Sequence, residues 1–321
     1  MSVADAVLVT GADGFVGRHL VAALLARGLA VRAVTRRHVP TLPAHRLLEF
    51  RAVDDIVGAP WESLLRDTRA VVHLAAVAHR GSPRSAEDAR RVHAVNVQAV
   101  ADLARAARHA HAGRLVLLSS VGVLGATSGA EPFDADSVPA PHDFYSRTKL
   151  DAERALQEAV GDSGLEACVV RAPLVFGPDA PGNFARLIRV IERGMPLPLA
   201  AVENRRSLVS VWNVCDLLIA CLTHPRATGD PLLVADEEAL TAAELVRVCA
   251  ACLGRPARLV RVPAPVLRIA SRLLGRLEDY ERLCGSLVVD TRATHERLGW
   301  RPPLGLREGL RRSLSGRGGT A

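Results

Sequence analysis

Three glycines near the amino terminus constrain the fold of this chain more than any other feature. Gly11, Gly14 and Gly17 have the spacing G-x-x-G-x-x-G and stand between an apolar run, 6–10, and an Ala/Leu-rich segment. Glycine permits a tight turn and lets backbone amides approach a pyrophosphate that faces the N-terminus of the following helix. A strand, a glycine loop and a helix in this order are typical of dinucleotide binding. The residues expected to contact the dinucleotide here are Gly11, Gly14, Phe15, Val16 and Gly17.

The first half of the chain alternates short β-branched runs with longer helical patterns. This alternation predicts an α/β fold with a doubly wound parallel (Rossmann) sheet, helices on both faces and ligands at the carboxyl ends of the strands. The predicted strands are 6–10, 30–35, 47–53, 70–74, 114–119 and 166–172. The predicted helices between them are 16–27, 60–66, 86–110 and 145–160.

The composition of the chain changes after Arg171, where Pro and Gly become frequent. This change indicates a smaller, looped C-terminal substrate domain. A strand and helix pattern at 207–222 and a strand at 232–235 are expected to rejoin the main sheet, and helices are predicted at 241–253 and 264–274. The predicted division is a nucleotide-binding domain over 1–172 (rejoined by about 207–236), a substrate domain over 173–206 and 237–312, and a disordered tail over 313–321.

Charge and cysteine content exclude several other classes of protein. The net charge is +7, but Arg is spread among acidic residues and aromatics are only 3% of the chain, which argues against a nucleic-acid partner. Cys249 and Cys252 form a C-x-x-C without a second pair, so we expect no metal site. The six cysteines suggest a reducing compartment, and no apolar run reaches the ~20 residues of a membrane span. We therefore expect a cytoplasmic protein without membrane insertion.

Cofactor choice should be determined at the end of the second predicted strand. An acidic residue there would bind the ribose hydroxyls of NAD, but the chain has Thr35, Arg36 and Arg37. Guanidinium groups can pair with a 2′-phosphate, so NADP(H) is favoured. If both arginines are only solvated, NAD(H) remains possible. Asp55, after the third strand, could accept the adenine amino group, and Asp54 could replace it.

Tyr145 and Lys149 are the candidate catalytic pair. Their spacing of four residues places a phenol and an ammonium on one face of a helix. The cation is expected to lower the tyrosine pKa, so that the phenol can exchange a proton with a substrate oxygen. The same spacing also occurs on ordinary solvated helices. The position of this pair, after the fifth strand of a nucleotide-binding sheet, favours the catalytic interpretation.

Two other polar positions could support the same site. Ser119 and Ser120 end the fifth predicted strand, where a hydroxyl could bond the reacting oxygen or simply cap a turn. Asn96, within a predicted helix, could organise a buried water or a backbone bend, or could be simple polar packing.

With these motifs the chain resembles the extended short-chain dehydrogenases/reductases, also called NAD-dependent epimerase/dehydratases. The resemblance covers nearly the whole chain. It rests on residues 11–17, 73–76, 96, 119–120, 145–149, 171–178 and 298–300. It implies that Ser120 is the catalytic serine beside Tyr145 and Lys149, that Ala75 and Ala76 line the cofactor path with Asn96 and Lys149, and that the protein is a homodimer.

The second half resembles the branch of this family that acts on sugar nucleotides. Asn183 matches the loop whose Asn contacts the nucleotide diphosphate, and residues 193–199 match the stretch that cradles uracil. Arg206 matches the arginine that holds the pyrophosphate, and Arg282 is the candidate for a second phosphate-binding arginine, although its spacing to Asp290 is shorter than usual. The implied partner is a UDP-sugar.

The resemblance implies two activities and argues against two others. The leading hypothesis is a reductase that passes hydride from NADPH to C4 of a UDP-4-keto-6-deoxyhexosamine, in bacterial surface-polysaccharide precursor synthesis. The alternative is a UDP-hexose or UDP-hexosamine 4-epimerase with tightly bound NAD. A dehydratase is disfavoured because residues 120–125 contain no carboxylate, and a non-catalytic nucleotide sensor is disfavoured because Ser120, Tyr145 and Lys149 are all present.

Overall fold

The alternating pattern of the first half folds into one parallel sheet. The computed structural model describes residues 5–36, 44–78, 83–161, 164–273, 280 and 284–315. Within them the strands are β1 (Ala6–Thr10), β2 (Val31–Thr35), β3 (Leu48–Ala52), β4 (Thr68–His73), β5 (Arg114–Ser120), β6 (Glu166–Ala172), β7 (Leu174–Phe176), β8 (Leu208–Ser210) and β9 (Leu232–Leu233). Seven of these described strands form the main sheet, in the order β3-β2-β1-β4-β5-β6-β9, and all neighbours are parallel. The predicted α/β class is therefore confirmed.

Helices cover both faces of this sheet. In the described residues they are α1 (Phe15–Ala26), α2 (Trp61–Leu64), α3 (Ala86–His93), α4 (Ala99–His109), α5 (Phe144–Val160), α6 (Asn183–Glu192), α7 (Val211–Cys221), α8 (Ala242–Cys252), α9 (Ala264–Leu273), α10 (Arg292–Leu298) and α11 (Leu306–Leu314). Side chains of a strand alternate between the faces, so Val7 packs with α1 and α7 while its neighbour Leu8 packs with α2, α4 and α5. Each face thus has its own buried core.

The direction of winding reverses at β1, which is the topological switch point of the sheet. The chain adds β2 and β3 on one side of β1 and then crosses to β4, β5 and β6 on the other side. In open α/β sheets, ligands bind in the crevice outside the carboxyl ends of the strands at this point. The glycine loop after β1 and the loop after β4 meet there.

One sequence prediction about the sheet is wrong in part. Strand β9 rejoins the main sheet beside β6, as expected, but β8 pairs with β7 in a separate two-stranded sheet. Pro173 lies between β6 and β7 and has no N–H to continue a ladder. The chain therefore leaves the main sheet at Ala172, and β8 follows β7 rather than β6.

A second core lies beside the two-stranded sheet and includes α6, α8 and α11. Leu306, Leu310 and Leu314 of α11 recur every four residues and are all buried in this core. The predicted tail from residue 313 therefore begins too early, because Ser313 is buried in the last turn of this helix. Residues 316–321 lie outside the described part of the chain.

The long helix predicted over 86–110 is interrupted. Helices α3 and α4 are joined by a π-helical turn, Ala94–Gln98, that contains Asn96. Such turns are often found at functional sites because the extra residue redirects a side chain. The asparagine side chain is buried and points to the edge of the sheet where β4 ends.

Candidate active site

The glycine loop has the shape that a pyrophosphate requires. Gly11 has φ of 64°, and a Cβ added there would lie 2.9 Å from the backbone nitrogen of Ala75. A Cβ at Gly14 would lie 3.0 Å from the Gly11 carbonyl oxygen, and one at Gly17 would overlap that oxygen. Because Gly14 is the N-cap of α1 and has no side chain, the first amides of the helix face the crevice uncapped. These residues fit a dinucleotide phosphate.

Phe15 and Val16 of the same loop begin α1 and connect it to the second core. Both are half-buried, and the Phe15 ring packs against both the main-sheet core and the second core. A Cβ at Gly177 would lie 3.1 Å from this ring. The cofactor loop is therefore held directly against the second core.

The loop after β4 is fixed by two side chains. The Thr10 hydroxyl accepts hydrogen bonds from the backbone nitrogens of Leu74 (3.1 Å) and Ala75 (3.2 Å). The Asn96 amide accepts from the backbone N–H of Val77 (2.8 Å) and donates to its carbonyl (3.2 Å). Ala75 is half-buried and Ala76 is exposed. Asn96 thus organises a backbone bend, one of the roles that the sequence left open.

Helix α5 is attached to the end of β5 by Lys149. The ammonium donates a hydrogen bond to the carbonyl of Leu118 (2.7 Å), two residues before the end of the strand. Ser120 ends this strand, and its hydroxyl accepts from the backbone N–H of Gly122 (3.1 Å). A Cβ at Gly122 would lie 3.3 Å from the Ser120 hydroxyl and 2.6 Å from that of Ser146 in α5. The serine and the first turn of α5 therefore meet at one glycine.

Tyr145 lies one turn before Lys149, on the half-buried part of α5. Asp143 caps this helix and accepts from the backbone N–H of Ser146 (2.7 Å). Burial, together with the Asp143 carboxylate, raises the pKa of Tyr145 to about 12. The sequence prediction that Lys149 lowers this pKa is wrong for the ligand-free protein, because loss of hydration and a nearby negative charge dominate.

The ammonium of Lys149 lies in an environment that weakens its charge. Burial lowers the pKa of Lys149 to about 8, and the carboxylate of Glu153 opposes this shift. The same burial, with Lys149 nearby, lowers the pKa of His73 to about 3, so this imidazole is neutral. At neutral pH the lysine is still the positive group of the site.

A buried ion pair behind the site was not predicted from the sequence. Glu153 lies one turn after Lys149, and its Oε2 is 2.7 Å from an Nη of Arg171 in β6. The Ser119 hydroxyl donates to the other carboxylate oxygen. The spacing of Tyr145, Lys149 and Glu153, each four residues apart, is the signal that could have indicated this acid as a third member of the helix face.

The residues proposed to select the cofactor lie at the edge of the sheet formed by β2 and β3. Thr35 is buried, Arg36 is exposed, and Arg37 lies outside the described residues. Asp55, expected at the adenine, accepts from the backbone N–H of Val57 (3.0 Å) and pairs with Arg91 (2.6 Å). Although burial opposes the shift, these contacts lower the pKa of the Asp55 carboxyl, which is therefore ionised.

The residues proposed for substrate binding lie around the second core. Asn183 is the first residue of α6 and is exposed. The half-buried Arg206 donates from one guanidinium nitrogen to the carbonyl of Gly285 (2.8 Å), and burial lowers its pKa. Arg282 lies outside the described residues.

Comparisons with known proteins identify the same family throughout. The model of the NAD-dependent epimerase/dehydratase family matches residues 7–235. The chain is 35% identical to a UDP-glucose 4-epimerase of Vibrio cholerae over 309 residues, which are 96% of this chain and 94% of that protein.

Solved structures share the fold over nearly the same length. MoeE5 in complex with UDP-glucuronic acid and NAD is 28% identical, with a TM-score of 0.78 over 96% of this chain and 97% of MoeE5. A UDP-glucuronic acid 4-epimerase from Bacillus cereus, bound to NAD, is 21% identical, with a TM-score of 0.77 over 96% of this chain and 94% of that one. The second likeness is at the level of the fold.

Proposed function

The chain belongs to the NAD-dependent epimerase/dehydratase family, and we propose that it is a UDP-sugar 4-epimerase. The observation that carries this proposal is the junction of α5 with β5, where Lys149 bonds the strand that ends in Ser120 while Tyr145 lies one turn away. The 35% identity to a UDP-glucose 4-epimerase now ranks this activity above the reductase that the sequence favoured.

The proposed chemistry divides between the cofactor and the side chains of the chain. When bound, the nicotinamide supplies the acceptor and donor of hydride. Tyr145 moves the proton at the 4-oxygen of the sugar, and in the ligand-free protein its pKa of about 12 keeps the phenol protonated at neutral pH. The Ser120 hydroxyl holds the same oxygen by a hydrogen bond. Lys149 keeps a positive charge beside them, because its ammonium is anchored on Leu118.

The proposed cofactor site combines the glycine loop with the bent loop after β4. The space that a Cβ would fill at Gly11 and Gly17 is left for the pyrophosphate, and Ala75 and Ala76 would border the dinucleotide. Asn96 acts indirectly, because it holds the backbone that carries these alanines. MoeE5 binds NAD in its solved complex, which supports NAD for this chain too.

The proposed sugar-nucleotide site lies between the main sheet and the second core. MoeE5 binds UDP-glucuronic acid, which supports a UDP-sugar as the substrate here. We assign the diphosphate to Asn183 and Arg206, with Arg282 as a further phosphate ligand. The hydrogen bond from Arg206 to Gly285 orients the guanidinium and supports this assignment.

A second candidate function, the NADPH-dependent 4-keto reductase, is favoured by the end of β2. Thr35 stands where an NAD enzyme is expected to have an acid, and the exposed Arg36 follows it. A guanidinium at this edge suits the 2′-phosphate of NADP. The two functions differ in cofactor use, because an epimerase consumes none and a reductase consumes one NADPH for each product.

The test offers a panel of UDP-hexoses, UDP-hexosamines and UDP-4-keto sugars, with and without NADPH. We expect the C4 epimer to be formed, as resolved by chromatography and proton NMR, without net oxidation or reduction of cofactor. Stoichiometric NADPH consumption on the 4-keto sugars alone would instead establish the reductase.

The role of Tyr145 is tested in the same assay by Tyr145→Phe, which removes only a hydroxyl. The hydride-transfer step, followed by nicotinamide absorbance in a single turnover, should slow by about 10²–10⁴-fold. Tyr280→Phe is the matched control, since these are the two tyrosines of the chain. A Tyr145→Phe protein with the wild-type single-turnover rate would contradict the proposal for either activity.

A further inference from the structure

Exposed apolar side chains are concentrated at α9. Among the described residues, six large hydrophobic side chains are exposed, and four of them are Val260, Val266, Ile269 and Leu273. Scattered exposed hydrophobics are ordinary, but a contiguous group indicates an interaction site. Helix α9 has no buried residue, and Leu273 is 82% exposed.

The apolar stripe of α9 faces away from the protein. Leu267 is the side chain of α9 that packs against the second core, and it defines the inner side of the helix. At 3.6 residues per turn, Val266, Ile269 and Leu273 lie within about 60° of one another and about 100° or more from Leu267. These side chains therefore form an outward stripe that the fold of one chain does not cover.

The stripe is bordered by positive charge. Residues 255–273 contain five arginines and no acidic residue. They are Arg255, Arg258, Arg261, Arg268 and Arg272, all exposed. An open groove beside the stripe is lined by Arg268, Ile269, Arg272 and Tyr280, and the Tyr280 hydroxyl donates to the carbonyl of Ala264 (3.3 Å). Two guanidinium groups and an aromatic ring at such a groove suit a phosphate headgroup.

We propose that this surface, defined by Val260, Val266, Arg268, Ile269, Arg272 and Leu273 and called the α9 face, docks the protein on anionic phospholipid membranes. An apolar stripe flanked by arginines is the pattern of a helix that lies in the plane of the interface. This inference goes beyond the proposed function, since neither epimerase nor reductase chemistry requires a lipid surface.

Two other occupants fit the α9 face less well. A second copy of the chain, related by a two-fold axis, would place these arginines against themselves, and like charges would repel. A membrane span is excluded for the described residues, none of whose helices is long and apolar enough to cross a bilayer. An anionic surface complements both the stripe and the arginines.

The experiment is co-sedimentation of the full chain with vesicles of phosphatidylcholine alone or mixed with phosphatidylglycerol. We expect partition onto the mixed vesicles and little onto the neutral ones, with weaker binding as salt is raised. Arg268→Gln with Arg272→Gln should lower the partition coefficient about 30-fold, since each arginine near the surface contributes about tenfold or somewhat less. Ile269→Ser with Leu273→Ser should lower it at least as much.

A matched control separates the α9 face from the overall positive charge. Arg66→Gln with Arg108→Gln removes the same charge from exposed positions on another side of the molecule and should change binding less than threefold. All three double variants should keep wild-type turnover in solution, because these residues lie outside the catalytic and cofactor sites.

Three results would overturn the proposal. One is equal binding to both kinds of vesicle, and another is equal loss in the control and in Arg268→Gln with Arg272→Gln. The third is self-association of the wild type in analytical ultracentrifugation, abolished by Ile269→Ser with Leu273→Ser, together with no vesicle binding. That last outcome would assign the face to a second copy of the chain.

Discussion

Breaking the ion pair between Glu153 and Arg171 should destabilise the protein far more than breaking a surface pair. Both side chains are less than a tenth exposed, and their closest nitrogen and oxygen atoms are 2.7 Å apart. Glu153→Gln leaves the guanidinium buried without a counter-charge, and Arg171→Met leaves the carboxylate in the same state. The loss of one partner of a buried pair costs about 3–5 kcal/mol.

The expected change in melting temperature follows from this free energy. At about 2 °C for each kcal/mol in a large domain, each single variant should melt about 6–10 °C below the wild type. The double variant, Glu153→Gln with Arg171→Met, contains no buried charge at this position, and the glutamine can still accept from Ser119. It should therefore be more stable than the sum of the single changes predicts, by about 2 kcal/mol or more.

Urea unfolding followed by circular dichroism measures these free energies, and calorimetry gives the melting temperatures. The control is the exposed pair of Asp151 and Arg154 on the same helix, whose side chains are 44% and 65% exposed. Arg154→Gln should cost less than about 0.5 kcal/mol. Additive effects of Glu153→Gln and Arg171→Met, or single costs as small as that of the control, would refute the reasoning.

Three further predictions concern the cofactor, the substrate and the proton. Replacing Arg36 and Arg37 with Ala should weaken NADPH at least about tenfold more than NADH in fluorescence titrations, because a charge-assisted phosphate contact is lost; equal weakening would remove the case for NADP. Arg206→Ala should raise the KM for the UDP-sugar and leave nicotinamide cofactor affinity unchanged, and a loss of cofactor affinity instead would show that the diphosphate is misassigned. Asp143→Asn keeps an N-cap acceptor but removes the charge that raises the pKa of Tyr145. The limb of the pH–rate profile that reports this tyrosine should then move to lower pH, whereas Asp151→Asn should leave it in place; an unmoved limb in Asp143→Asn would mean that this carboxylate does not act on the phenol.

The features that the sequence predicted correctly are those with a local cause. The spacing of Gly11, Gly14 and Gly17 follows from the turn that these residues themselves form between β1 and α1. The β-α alternation predicted the parallel sheet because strand and helix periodicities are properties of short segments. The four-residue spacing of Tyr145 and Lys149 places them on one face of α5 for the same reason.

The features that were missed depend on residues distant in the chain. Strand β8 was assigned to the main sheet, since no local pattern records that its partner is β7 across more than thirty residues. The C-terminal helix was taken in part for a tail because its last turn, rich in Ser and Arg beyond Leu314, is held by the second core. Arg282, and the second arginine after β2, lie outside the described residues, so their roles stay predictions.

The sequence by itself determined the parallel sheet, the glycine loop and the catalytic helix face, because each is written in spacings of two to seven residues. Only the tertiary structure decided the electrostatics of the site. It buries Tyr145 near Asp143 and so raises a pKa that the spacing to Lys149 alone predicts to fall. It also brings Glu153 of α5 to Arg171 of β6. Burial and long-range pairing depend on how the elements pack, and the energy of a charge depends on what surrounds it more than on its neighbours in sequence.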